Sequence, residues 1–511
     1  MTSPHALARR LRWPLAAVFA LPLLAGAAFA QSSIRIGLAE DPDVLDPTLA
    51  RTYVGRIVFA SICDKLFDID AKLNVIPQLA LSHETADDGK SMTIKLRPGV
   101  KFHDGEPLDA EAAKYSIERH MTMSGSFRRS ELSQVSAVEV VDPLTIKLAL
   151  KTEFAPLLAQ LTDRAGMMVS PKAAKEAGER FGQKPICAGP YKFVERVQQD
   201  RIVVEKFADY WNKANVHIDR VVYVPIADST VRLANLKSGQ LDLIERALAT
   251  DIKDIRASAG LKLATALELG YQGLTINVGK GDAAKGPLGS DKRVRQAFEA
   301  AIDREALVQV VFNGEFKPGN QWVNTTNPYY IATHPVPKRD LAKAKKLLAD
   351  AGVKTPIEVD LMVPNNPETR QLAEVIQAMT AEAGFAVKIR VTEFATSLKE
   401  AEDGKYQAYI LAWSGRPDPD GNIFSFATSR APNNYSGYSN SAVDGLLAGA
   451  RIPTKFEQRK QIYASATEKL LDELPIIYLY HRLVIIAHRE RIEGYSQMPD
   501  GLVRLVGLKV K

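Results

Sequence analysis

Arginine, tryptophan and carboxylate side chains gather in two short stretches of this chain, residues 364–370 and 414–422. The first ends at Arg370. Trp413 immediately precedes the second, which carries Ser414, Arg416 and Asp418. A guanidinium offers two parallel N–H donors to a carboxylate, and an indole offers a flat apolar face. Together they suit capture of a planar or anionic small molecule. Packing supplies the competing reading, with Trp413 in the core and both arginines on a solvated rim.

Enzyme chemistry finds no matching pattern. There is no HExxH, and the eight histidines include no i, i+4 pair for zinc. G-x-S-x-G, Ser-x-x-Lys, Walker and G-x-G-x-x-G motifs are absent. Asp418-Pro419-Asp420-Gly421-Asn422 lacks the glycine at loop position 6, and Ser429 stands where a calcium loop needs Glu. It reads instead as a turn, with Asp420 capping a helix. His103-Asp104-Gly105 reads as a turn as well. The expectation is a protein without catalytic residues, metal or cofactor.

Elements must bring the candidate side chains together. Up to Asn277 the pattern mixes strands (33–38, 92–96, 144–150) with helices at 51–66 and from Asp109 to His120, as an α+β lobe would. Beyond it, Ser290 is placed to cap a helix through Val311, and Asp340 a helix ended by Gly352. Strands at 357–363, 386–391 and 406–413 then alternate with a helix from Pro367 to Gly384 and a short one at 397–402. This β-α-β-α-β order predicts right-handed crossovers and a parallel sheet. Ligands bind outside the carboxyl ends of such strands, where both stretches fall.

With 511 residues, 46% of them hydrophobic and 25% charged, the chain is too long for one core and predicts two or more lobes. Arg9, Arg10 and Arg12, the apolar run 13–27 and Ala28-Phe29-Ala30 read as a signal peptide cleaved after Ala30. No cysteine near the cut offers a lipid anchor, so a soluble, exported periplasmic protein is expected. The net charge of +6 drops to +3 once those three arginines leave, and the remaining charges are interspersed. Nucleic acid is excluded as a partner. In an oxidising compartment Cys63 and Cys187 either form a disulfide or remain two buried thiols.

Several stretches carry a resemblance. They are the run from Leu96 through His103-Asp104-Gly105 to Ala110, Ala188-Gly189-Pro190-Tyr191, Tyr210-Trp211, residues 236–242, Val294-Arg295-Gln296-Ala297-Phe298, Ala301-Ile302-Asp303-Arg304 and Gly437-Tyr438-Ser439-Asn440. In this order the chain resembles family 5 extracellular solute-binding proteins, the dipeptide-, oligopeptide- and nickel-binding receptors of ABC importers.

The resemblance implies an α/β, two-lobed periplasmic-binding-protein-like clamp (type II, cluster C-like) with an extra subdomain in lobe I. Lobe I would take 31–276 plus 484–511 and lobe II 277–483, with crossings near 275–278 and 480–484. The implied function is capture of a small peptide-like or anionic solute by hinge closure, by a monomer that delivers it to an inner-membrane ABC permease. A secreted hydrolase, or a sensing or chaperone clamp of the same fold, is the alternative. In peptide-binding relatives an aspartate shortly after the strand-end tryptophan pairs with the ligand's amine; here Arg416 stands there, with Asp418 two residues on. Arg416 is thus expected to favour a carboxylate-bearing ligand. By the same resemblance Arg370 is a carboxylate-recognising candidate, and Tyr53 would face the cleft from lobe I.

Overall fold

The computed structural model describes residues 32–511, so the expected signal segment lies outside the described residues. Two mixed sheets organise the chain. In the first, seven strands run in the order Leu261–Leu267, Leu483–Arg489, Leu243–Ile244, Ser33–Leu38, Arg220–Pro225, Arg201–Lys206 and Tyr191–Val197. Ser33–Leu38 lies at the centre, parallel to both Arg220–Pro225 and Leu243–Ile244. Its Ile34, Ile36 and Leu38 are fully buried, the period-2 face that an alternating sequence dictates.

The second sheet has the order Lys317–Pro318, Ile476–His481, Tyr271–Ile276, Ala408–Trp413, Ile357–Pro364 and Phe385–Thr392. The three strands read from the β-α-β-α-β pattern are mutually parallel, with Ile357–Pro364 in the middle. Tyr271–Ile276 is buried along its whole length and runs antiparallel to both of its neighbours. It therefore belongs to the second sheet, although the sequence reading put 271–276 in the first lobe. The change of sheet falls at residues 268–270, and the return falls at Arg482, between Ile476–His481 and Leu483–Arg489.

These two crossings are stitched together. The Arg482 guanidinium meets Glu268 at 2.7 Å, the Glu268 N–H donates to the Arg482 carbonyl at 3.1 Å, and Gln272 donates to the same carboxylate at 2.9 Å.

A four-stranded antiparallel sheet, Ala80–Thr85, Ser91–Leu96, Thr145–Leu150 and Val135–Asp142, forms the extra subdomain. Helix Ala110–Thr122 covers it, capped by Asp109, whose carboxylate accepts from the Ala112 N–H at 3.0 Å. Cys63 and Cys187 are joined by a disulfide, with their Cα atoms 4.9 Å apart. The backbone beside it is tight: a side chain on Gly189 would run into the Ile62–Cys63 peptide.

Two helix boundaries differ from expectation. Residues 290–311 form two helices, because Asp291 caps Lys292–Ala300 and Asp303 restarts the chain as Arg304–Phe312. Asp420 does not cap its helix; it is the first residue of Asp420–Ala427, and its carboxylate is taken by Arg451 at 2.7 Å.

Candidate functional site

Between the two sheets lies a cavity of about 150 Å³. Residues just beyond the carboxyl ends of parallel strands build it from both sides. From the first lobe come Glu40 after Ser33–Leu38, Ala227 and Ser229 after Arg220–Pro225, and Arg246 after Leu243–Ile244. From the second come Asn366, Glu368 and Thr369 after Ile357–Pro364, Phe394 and Leu398 after Phe385–Thr392, and Ser414 after Ala408–Trp413. Arg51, Thr52 and Tyr53 enter from the start of helix Tyr53–Ile62; Tyr480 and Arg482 form the crossing side.

Of the six side chains expected at the site, Tyr53, Trp413 and Ser414 line this cavity and Arg416, Arg370 and Asp418 do not. Trp413 packs edge-on against Phe426, with ring centroids 4.6 Å apart, and donates its indole N–H to Asn422 at 3.1 Å. Ser414 accepts from Arg56 of the first lobe at 3.1 Å. The Tyr53 hydroxyl donates to the Gly501 carbonyl, and its ring lies 5.0 Å from the Arg246 guanidinium.

The three corrections share a cause: each charge has found a partner elsewhere or turned to solvent. Arg416 is 5% exposed; its Nε meets Asp163 of the first lobe at 2.6 Å, and its guanidinium lies 4.4 Å from the Trp413 ring. Burial and neighbouring Arg56 lower its pKa to about 10. Burial alone would raise the Asp163 carboxyl, yet Arg416 and Arg56 hold it well below the ordinary carboxylate value. Asp418 is bound two-pronged by Arg459, both contacts at 2.8 Å. Arg370 is exposed, with only a long 3.5 Å contact to Asn365.

Charged groups missed in the sequence stand in the walls. Arg246 pairs with Glu40 at 2.7 Å and Glu245 at 3.3 Å; these carboxylates raise its pKa despite burial. It sits at φ +50, a conformation L residues rarely adopt. Arg51 is shared between Asp43 and, across the cleft, Glu402, each at 3.6 Å. Arg232 spends its guanidinium on the carbonyls of Ile226, Ala227 and Arg246, at 2.6, 3.0 and 2.9 Å. Among the described residues no group of three or more His, Cys, Asp or Glu could hold a metal. The site can bind and orient a polar solute through fixed charges and an aromatic wall.

Comparisons with known proteins match this architecture. A glutathione-binding protein from Pectobacterium atrosepticum is 30% identical over 505 residues, covering 96% of each chain. The solved structure of a periplasmic binding protein from A. tumefacien R10, in complex with agropinic acid, is 27% identical with a TM-score of 0.84, covering 94% of this chain and 99% of its own. A dipeptide-binding protein from Pseudoalteromonas sp. SM9913, in complex with Met-Leu, shares the fold at a TM-score of 0.87 and 23% identity, over 94% and 100% of the two chains. The two-lobed α/β clamp implied by the resemblance is the architecture of these proteins. Residues 74–435 match the model of one family, and with these relatives they establish that the chain belongs to the bacterial extracellular solute-binding proteins, family 5.

Proposed function

We propose that this solute-binding protein captures a peptide-like solute of di- to tripeptide size, with glutathione the first candidate, and presents it to an ABC permease. The cavity between the two sets of strand ends carries this reading. At roughly 10–15 Å³ of such volume per water and ~30 Å³ of liquid for each, its 150 Å³ corresponds to about 300–450 Å³ of displaced liquid. That suits a short peptide better than a long one. The paired crossings at 268–270 and Arg482 would serve as the hinge, dividing lobe I (to about 267, and from 483) from lobe II. Export with cleavage after Ala30, and a monomeric state, complete the proposal; N-terminal sequencing and light scattering of the exported protein test both.

The main test is ligand-induced stabilisation of the purified protein, with titration calorimetry, using reduced glutathione, Met-Leu and a nonapeptide. At a hundred times its Kd a solute should stabilise the folded state by about 2.7 kcal/mol. Glutathione or Met-Leu is expected to do so, unchanged by the incubation. Stabilisation by the nonapeptide alone would overturn the size assignment, and turnover of a bound peptide would hand the cleft to the hydrolase alternative.

A further inference from the structure

We propose that Glu368 is the group that selects ligands for a free amine; this rests on the peptide-like reading above and names the chemistry the cavity prefers. Three of the four cavity arginines have close partners: Arg246 is held by Glu40 and Glu245, Arg482 by Glu268, and Arg232 by three backbone carbonyls, while Arg51 keeps only 3.6 Å contacts to Asp43 and Glu402 and a buried Nη1 without a hydrogen-bond partner among the described residues. Glu368 is different. It lines the cavity, yet among the described residues it has neither an ion-pair partner within 4.0 Å nor a side-chain hydrogen bond.

Its place on the chain favours the anion there. Glu368 is the second residue of the 15-residue helix Pro367–Ala381, whose N-cap Asn366 accepts from the Thr369 N–H at 2.9 Å. A helix N-terminus favours a negative side chain. Burial raises the Glu368 pKa, against the pull of Arg482, Arg246 and Arg232. An incoming ammonium supplies the close partner the carboxylate lacks. The lining carries Arg51, Arg232, Arg246 and Arg482 against Glu40 and Glu368; with Arg246 and Arg482 paired to Glu40, Glu245 and Glu268, Glu368 is the lining carboxylate left without a close cation. The amine preference thus moves from the position after Trp413, where Arg416 stands, to the carboxyl end of the neighbouring parallel strand Ile357–Pro364.

The experiment compares two pairs of probes by calorimetry: glutathione and Met-Leu, each against its analogue with the amine replaced by hydrogen. Wild type is expected to bind the free-amine member about 10- to 100-fold more tightly, the range for a hydrogen bond to a charged group. Glu368→Gln should abolish that selectivity by weakening only the free-amine ligand, and Glu368→Asp should restore part of it. Equal affinity of wild type for both members would overturn the assignment. So would a Glu368→Gln variant that keeps its selectivity, or one that loses both ligands equally with a lower Tm, the mark of a merely structural carboxylate. Failure of all four probes to bind wild type would instead sink the peptide-like reading, and the amine site with it.

Discussion

Arg416 lies three positions past Trp413, but the backbone between them reverses. Gly415 adopts φ +76, and a side chain there would collide with the backbone at Leu269 and Gly270. The guanidinium accordingly leaves the cavity for Asp163, some 250 positions upstream, a pairing that local pattern does not disclose. Trp413 and Ser414 were legible because strand-end topology alone places them. The same rule points, at the parallel strands of the first sheet, to Glu40 and Arg246, which stayed unmarked because Ser33–Leu38 takes its parallel neighbours from residues 220–225 and 243–244, far along the chain. His120 illustrates a residue whose role the sequence left unmarked. Fully buried, its Nε2–H donates to the Met167 carbonyl at 2.9 Å while Nδ1 contacts the Thr48 hydroxyl at 2.8 Å. Burial lowers its pKa to about 4. A depressed imidazole contributes stability above its unfolded value near 6.5 and loses it as pH falls through 4, by up to about 3 kcal/mol. Asp64, raised to about 6 chiefly by burial, works in the opposite sense below that pH. His120→Asn should therefore lower Tm at pH 7 and flatten its decline between pH 6.5 and 4 by about one proton. Parallel Tm profiles of the two proteins would refute this.

At the level of elements, charged pairs join the two lobes beside the cavity. The turn ending at Asp163 receives both Arg416 of the second lobe at 2.6 Å and Arg56 of its own helix at 3.1 Å. Nearby, Arg451 reaches across to the Ser133 hydroxyl at 3.0 Å, and Gln160 donates to Asp420 at 3.2 Å. Removing one member of a buried pair leaves the other charge desolvated, at a cost of about 3–5 kcal/mol if the interface stays shut. Opening the cleft lets water relieve that cost. Asp163→Asn should thus favour the open form, raising the ligand-free radius of gyration in X-ray scattering and weakening ligand binding at least tenfold, about 1.4 kcal/mol, mainly through faster release. Unchanged scattering and affinity would reduce the pair to local packing. The strands and helices at this scale were mostly readable, since periodicity and caps act locally. The second crossing, at Arg482, falls within the expected 480–484; the first lies earlier than 275–278, because a short strand such as Tyr271–Ile276, buried along its whole length, carries no mark of the sheet that receives it.

For the whole molecule, the disulfide closes a loop of 124 positions in the first lobe. Chain-entropy arguments assign such a loop about 4–5 kcal/mol, less any denatured-state structure. The Cys63→Ser, Cys187→Ser double variant is expected to fold with a markedly lower Tm, and the exported wild type to show no free thiol under denaturing, non-reducing conditions. Two titratable thiols, or an unchanged Tm in the double variant, would contradict this. The two-lobed architecture was legible from length, signature runs and the β-α-β-α-β register; the interlobe charge map was not, because it depends on how two separately encoded surfaces meet. The position of Leu483–Arg489 bears on biosynthesis. It is inserted between Leu243–Ile244 and Leu261–Leu267, so the first sheet lacks an interior strand until nearly the whole polypeptide exists. At ribosomal speeds of roughly 5–20 residues per second, the nascent chain spends tens of seconds unable to complete that sheet. Such a delay would keep it threadable, which suits the export proposed above, where a chain crosses a narrow channel before it folds.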